Sequence, residues 1–264
     1  MSVTVTTLKK MKEAGDKITW LTAYDYSFAS LVDQAGIDAI LVGESLGMVM
    51  QGHETPVPVT MEQSIYHTQC VARGASNAMI VGDLPFGSYQ LSKEQAYENA
   101  VKLMQAGAHT IKLEGGELQV ETIKFLVDRG IAVCAHIGLT PQSVHQLGGF
   151  KIQGRGAAAK QLLEDAIGVE QAGAFGVVLE AIPQGLAAEI TERLSIPTIG
   201  IGAGPSCDGQ VLVLQDMLGI YPKKSPKFSK NYMNGADTIG CAIANYVAEV
   251  KDGQFPSQEH SFNE

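Results

Sequence analysis

Glu44, Asp83, Lys112, Glu114, His136 and Glu180 belong to the residue types that ligate metals, hold oxyanions and move protons, and each stands at the end of a short apolar run. Residues 39–42 lead into Glu44 and Ser45, 78–81 into Asp83, and 110–111 into Lys112 and Glu114; 132–135 lead into His136 and 175–179 into Glu180. Lys112 and Glu114 are two apart, so in a strand their side chains share one face. With Glu44 and Asp83 from the two preceding runs, they would crowd carboxylates into a small space. Burial and mutual repulsion both oppose that arrangement unless a cation sits among the acids. Oxygen-only donors suit a hard divalent ion such as Mg²⁺; an ion-pair network tying Lys112 to its acidic neighbours, without metal, accounts for the same residues. His136 fits a catalytic acid, a metal ligand, a hydrogen-bond donor to substrate or a satisfied core residue. Glu180 ends an otherwise apolar run, where a low dielectric raises a carboxyl pKa and suits it to general-base work.

For these groups to meet, the runs must be strands of one orientation. Two further runs, 18–23 and 196–201, end on Asp25 and on Gly202 and Gly204. Between the runs lie helical patterns over 61–74, 92–107, 117–130, 157–173, 185–194 and 207–219, several closing on glycine, the residue favoured just past a helix end. Ser92 with Gln95 forms a capping-box pattern. Strands alternating with such helices read as repeated β-α-β units, hence an α/β parallel sheet covered on both faces. Polar endings on all of the runs, not at one switch point, favour a closed barrel over an open doubly wound sheet, with the endings gathered at one mouth. The expected fold is a single (β/α)8 TIM barrel over 1–264. A helix over 3–14 closes its lower end, an eighth strand lies near 227–232, and the last helix covers 237–253. Two long loops, 46–60 and 140–156, sit at the mouth; the second, around Phe150, Lys151 and Arg155, is either a closing lid or a mobile connection.

Composition narrows the partners. The 264 residues carry a formal net charge of −9, which argues against nucleic acid because phosphate backbones are bound by clustered lysine and arginine. No apolar run approaches the roughly 18 residues that span a bilayer, and 1–12 lacks a signal peptide's apolar stretch. A cytoplasmic protein acting on small molecules is expected, with no nucleic acid or membrane partner. Cys70, Cys134, Cys207 and Cys241 are far apart and form no Cys-x-x-Cys pair, which points to buried, reduced thiols and away from a zinc site or a disulfide framework. The glycines at 200, 202 and 204 lack the spacing of a dinucleotide fingerprint and read as places where backbone and ligand approach closely. Lys223, Lys224 and Lys227 form a basic patch, either for an anionic substrate tail or as a solvated loop.

Several of these stretches carry a resemblance. Thr22-Ala23-Tyr24-Asp25-Tyr26-Ser27, Leu41-Val42-Gly43-Glu44-Ser45-Leu46-Gly47 and Asp83-Leu84-Pro85-Phe86 are followed in order by Ile111-Lys112-Leu113-Glu114-Gly115-Gly116, His136-Ile137-Gly138-Leu139-Thr140-Pro141-Gln142-Ser143 and residues 199–204. Together, from about residue 4 to Phe262, they resemble the ketopantoate hydroxymethyltransferase family. The resemblance implies a barrel of the phosphoenolpyruvate mutase/isocitrate lyase type with a Mg²⁺ ion in each subunit. It implies transfer of a hydroxymethyl group from 5,10-methylenetetrahydrofolate, a co-substrate, to 3-methyl-2-oxobutanoate, forming 2-dehydropantoate (ketopantoate) in pantothenate biosynthesis through a Mg-stabilised enolate. By motif position it implies metal ligation by Glu44, Asp83 and Glu114, substrate binding by Glu44, Ser45, Asp83, Lys112 and His136, and proton abstraction by Glu180. It further implies a ring-like homodecamer. The family usually has aspartate where this chain has Glu44, so the longer side chain retracts, ligates differently or acts through a water. Two other classes compete: a C–C lyase or phosphonate enzyme of the same barrel type, whose cysteine-containing loop motif is not apparent here, and a non-catalytic barrel that binds an oxo acid as a sensor.

Overall fold

Eight parallel strands close on themselves in sequence order: β1 Ile18–Thr22, β2 Ala39–Val42, β3 Met79–Asp83, β4 Thr110–Glu114, β5 Val133–Gly138, β6 Gly176–Glu180, β7 Thr198–Ile201 and β8 Gly209–Leu212. The computed structural model describes residues 2–263; Met1 and Glu264, both within the expected 1–264 span, lie outside the described residues. The helices are α1 Val5–Ala14, α2 Tyr26–Gln34, α3 Leu46–Val49, α4 Met61–Gly74, α5 Lys93–Gln105, α6 Val120–Val127, α7 Val144–Leu147, α8 Ala158–Gln171, α9 Gln184–Arg193, α10 Leu214–Met217 and α11 Ile239–Lys251.

Strand alternation sorts the core into two layers. Ile18, Trp20, Ala39, Leu41, Met79, Val81, Val178 and Val211 fill the barrel interior together with Leu8 of α1, which plugs the lower end as the sequence suggested. Their sequence neighbours Leu21, Ile40, Ile80, Ile111, Leu113, Val177 and Leu179 pack outward against the helices. Burial of each such side chain stabilises the fold by about 1.5–3 kcal/mol, which is why the apolar runs are nearly continuous. Register then fixes the chemistry: Asp83 lies beside Lys112, Glu114 beside His136 and Gly138 beside Glu180 on adjacent strands.

The eighth strand is a correction. It lies at Gly209–Leu212, inside the segment that reads as a helix over 207–219, and 227–232 contains no strand. Gly209 stands opposite Ile18, where a Cβ would come within 2.5 Å of the Ile18 carbonyl oxygen, so glycine permits the closing contact between β8 and β1. Tyr232 instead lies beside α11, its hydroxyl donating to Glu249 at 2.8 Å. The Ser92 capping box is half formed: Ser92 Oγ accepts from Gln95 N, while Gln95 Oε1 accepts from Leu91 N. All four cysteines are free thiols, but only Cys134 and Cys207 are buried as expected; Cys70 is half-buried and Cys241 exposed, both on helices outside the barrel. Among the described residues, no helix is long and apolar enough to cross a membrane.

Candidate active site

The carboxyl ends of β2 to β6 deliver every predicted side chain to one cavity of about 540 Å³, lined by Glu44, Ser45, Asp83, Lys112, Glu114, His136 and Glu180. Lys112 Nζ stands at its floor, 3.0 Å from Asp83 Oδ1 and 3.9 Å from Glu114 Oε1. On its other side it donates to His136 Nδ1 at 3.2 Å. Asp83 Oδ2 accepts the backbone N–H of Glu44 at 3.0 Å, joining β3 to the end of β2. His136 Nε2 lies 3.1 Å from Glu180 Oε2. Ser45 Oγ is 2.8 Å from the Tyr24 hydroxyl.

These groups are buried, and burial sets their protonation. It pushes the Glu180 carboxyl up to about 8, with the Lys112 charge opposing. Burial, then the Lys112 charge, drives His136 down to about 4, so its ring is neutral near pH 7. The short His136 contacts with Glu114 and Glu180 are therefore polar contacts and not ion pairs. With Nδ1 facing the lysine ammonium, the proton belongs on Nε2, towards Glu180. Burial also works against the Lys112 charge, but Asp83, Glu114 and Glu44 together hold its pKa above the ordinary range. Glu44 is raised well above the usual carboxylate value by burial and then by its neighbours Glu114 and Asp83.

Glu44 Oε2 is buried without a hydrogen bond, while Asp83 Oδ1 and Glu114 Oε1, also buried, face the Lys112 ammonium at 3.0 and 3.9 Å. One ammonium among three buried carboxyls leaves an acceptor unmet, and a small hard cation would satisfy it. Among the described residues no three histidine, cysteine or acidic side chains form a closed set of metal donors. Mg²⁺ does not need one, because it usually keeps several waters and takes only one or two carboxylates along with substrate oxygens. The donors present fit that open kind of site.

Other sequence candidates fall elsewhere. Asp25, although at a strand end, caps α2 by accepting from Phe28 N at 2.9 Å. At Gly202, with φ +65°, the close neighbour is Phe228, which a Cβ would meet at 2.7 Å. Phe150 and Ile152 of the second long loop line the cavity, and Arg155 donates to the Asn263 carbonyl at 3.1 Å. In the basic patch, Lys223 pairs with Glu54 at 3.0 Å and Lys227 donates to the Ser261 carbonyl at 2.6 Å, leaving Lys224 at the mouth.

Nothing in the residue pattern marks the groups that hold Glu114 in place. Gln142 N donates to Glu114 Oε2 at 3.0 Å, Gln142 Oε1 accepts from the Tyr89 hydroxyl at 2.8 Å, and Gln142 Nε2 donates to the Leu84 carbonyl at 2.9 Å. A lone glutamine carries no pattern that announces such a role. Gln142→Leu removes the side-chain bonds to Tyr89 and Leu84 and leaves the Leu84 carbonyl unpaired, while the Tyr89 hydroxyl keeps the Glu114 backbone. The loss costs about 1–3 kcal/mol, so the melting temperature is expected to fall by roughly 2–10 °C in calorimetry. An unchanged melting temperature would show the two side-chain bonds to be idle.

Comparison with known proteins agrees with the geometry. The profile described as ketopantoate hydroxymethyltransferase matches residues 2–258. A 3-methyl-2-oxobutanoate hydroxymethyltransferase of Ralstonia pickettii is 61% identical over 262 residues, covering 99% of this chain and 96% of the relative. One from Neisseria gonorrhoeae is 60% identical, covering 98% and 99%. Among solved structures, a phosphonopyruvate hydrolase in complex with oxalate and Mg²⁺ superposes with a TM-score of 0.61 at 13% identity, covering 98% of this chain and 93% of that one. A 2,3-dimethylmalate lyase, a member of the phosphoenolpyruvate mutase/isocitrate lyase superfamily, gives 0.57 at 15% identity, covering 80% and 81%. These distant likenesses establish the barrel type.

Proposed function

Since this chain belongs to the ketopantoate hydroxymethyltransferase family and is a transferase, we propose that it carries a one-carbon unit from 5,10-methylenetetrahydrofolate to 3-methyl-2-oxobutanoate, forming ketopantoate for pantothenate biosynthesis. The observation that carries this reading is Glu180, a carboxyl with only 13% of its side chain exposed and pushed up to about 8, facing the same cavity as Lys112 and three carboxylates. Glu44, Asp83 and Glu114 would hold Mg²⁺, while Ser45, Lys112 and His136, with Glu44 and Asp83, bind the oxo acid. When bound, the ion supplies Lewis acidity that makes the proton on C3 of a 2-oxo acid easier to remove.

The chain's own residues do the rest. Glu180 takes the C3 proton, a role that needs a base whose pKa lies near the working pH. The Lys112 ammonium, fixed by Asp83, faces the oxygen on which enolate charge develops, where a preorganised cation contributes most. Neutral His136 touches Lys112 with one nitrogen and faces Glu180 with the other, so it fixes base and ammonium relative to each other without adding charge. Forming the new C–C bond from C3 to the folate's methylene carbon breaks that carbon's two bonds to nitrogen. A water supplies the hydroxyl group, and the C3 proton taken by Glu180 together with the second water proton goes to the two nitrogens of the departing tetrahydrofolate. Family membership also supports a cytoplasmic location and a ring-like homodecamer.

The test is deuterium uptake at C3 of 3-methyl-2-oxobutanoate in D₂O, with and without Mg²⁺ and with no folate present. Uptake that depends on Mg²⁺ is expected; a protein that leaves the oxo acid unexchanged but cleaves a hydroxy acid is a lyase instead. Glu180 works only as the carboxylate, and its raised pKa keeps the proton on until high pH. Exchange is therefore expected to climb as pH rises and level off above about 8. A rate that stays flat between about pH 6 and pH 9 would exclude Glu180 as the titrating base.

A further inference from the structure

The acidic groups of the reaction occupy the arc of the mouth from β2 to β6, which leaves the arc of β7, β8 and β1 without an assigned task. Among the described residues, two polar groups of that arc that line the cavity lack partners. Asp216, in α10 just after β8, is only 8% exposed, and its Oδ1 is buried without a hydrogen bond. The Tyr221 hydroxyl is buried and unpartnered in the same way, and both residues line the cavity. We propose that Asp216, with Tyr221 lining the same cavity, receives the one-carbon donor by the 2-amino-4-oxo-pyrimidine edge of its pterin ring. This rests on the folate-dependent reading above.

The chemistry of that edge matches the site. An exocyclic amine and the adjacent ring N–H are parallel donors, like a guanidinium fork, and a carboxylate is their natural acceptor. Asp216 is not spent on local structure: the first N–H of α10, that of Leu214, is taken by Thr22 Oγ1 at 3.0 Å. Nor does a cation answer it, since burial alone pushes its carboxyl up to about 6. The surrounding wall is apolar and aromatic, with Ile201, Val211, Phe228 and Phe262, the two phenyl rings meeting edge to face at 6.4 Å. Such a wall suits a flat heteroaromatic ring. Cavities of roughly 300–1,000 Å³ take drug-sized ligands, so a small oxo acid leaves most of this one free for a second molecule.

The arc also reaches the reacting centre. The bond from Leu214 N to Thr22 Oγ1 ties the start of α10 to the end of β1, and Tyr24 follows two residues on. Its hydroxyl meets Ser45 at 2.8 Å. A pterin edge anchored at Asp216 therefore shares one cavity with Ser45, Lys112 and Glu180.

Steady-state kinetics on the full-length enzyme, with C3 exchange measured separately without folate, test this. Asp216→Asn should raise KM for 5,10-methylenetetrahydrofolate ~10- to 100-fold, the loss expected for charge-assisted hydrogen bonds, with exchange and the oxo-acid KM within about twofold. Wild-type enzyme should lose a comparable ~10- to 100-fold in kcat/KM with a folate lacking the 2-amino group, and Asp216→Asn should no longer distinguish the two donors. An unchanged folate KM in the variant, or exchange that falls in parallel, would overturn the assignment. So would wild-type enzyme that uses the deaminated donor equally well, a result that needs no variant to fold. Wild-type enzyme that fails to exchange C3 at all would refute the underlying reaction and remove the basis for a donor site.

Discussion

Glu180→Gln is expected to slow deuterium uptake at C3 of 3-methyl-2-oxobutanoate by ~10²- to 10⁴-fold, the usual contribution of a positioned general base. The amide keeps the shape of the carboxyl and can still meet His136 Nε2, 3.1 Å away in the parent, but it cannot accept a proton from carbon. Oxo-acid binding by calorimetry should stay within about threefold, because the substitution leaves Lys112 and the three carboxylates in place. Stability should move the other way from activity. Burial raises the pKa of Glu180 above its ordinary value, so between the unfolded value and about 8 the folded protein keeps a proton that the unfolded chain releases. Stability of the parent therefore declines as pH rises through that window, and the glutamine variant escapes the decline. A higher melting temperature for Glu180→Gln at about pH 8, together with lost exchange, is the pattern of a functional group held at a structural cost. Exchange at the parent rate would dismiss Glu180 as the base, whatever the melting temperature did.

The parts of this architecture legible in the sequence are those where one residue type has one cheap solution. An apolar run ending on Lys112 and Glu114 two apart can only be a strand presenting both to the same side, and the register beside Asp83 and His136 follows from the parallel sheet. The eighth strand was hidden because its apolar residues, Val211 and Leu212, sit next to Leu214 at helical spacing, and a four-residue run has no periodicity of its own. Its position was decided by the close approach of Gly209 to Ile18, a contact between opposite ends of the barrel sequence. Asp25 shows the reverse failure: an acid at a strand end is also the favoured first residue before a helix, and the local hydrogen bond to Phe28 N claimed it. Gln142 and Tyr89 steady Glu114 through contacts that exist only once β3, β4 and the loop after β5 are assembled.

Removing the cation at the centre should have the broadest effect. Lys112→Met is expected to lower C3 exchange by ~10²- to 10³-fold, since a preorganised charge beside the developing oxyanion is lost. It should also cost about 3–5 kcal/mol in stability near neutral pH, because a buried acid cluster loses its partner. The sign of the pH dependence follows from the carboxyls. Burial already raises Glu44 and Glu114 above their ordinary pKa, and Lys112 opposes that rise at both. Without the ammonium their folded-state pKa values climb further, so the folded variant must bind protons that the unfolded chain has released above about pH 4.5. The melting-temperature deficit should thus be small near pH 5 and grow towards pH 8; a deficit independent of pH would mean that lost packing, not charge, is responsible. Adding Mg²⁺ at about pH 8 then separates the two readings of the cluster. If Glu44, Asp83 and Glu114 form a cation site, the ion replaces the missing charge and the melting temperature recovers with concentration by mass action. If they serve only as partners of Lys112, the variant stays destabilised at every Mg²⁺ concentration.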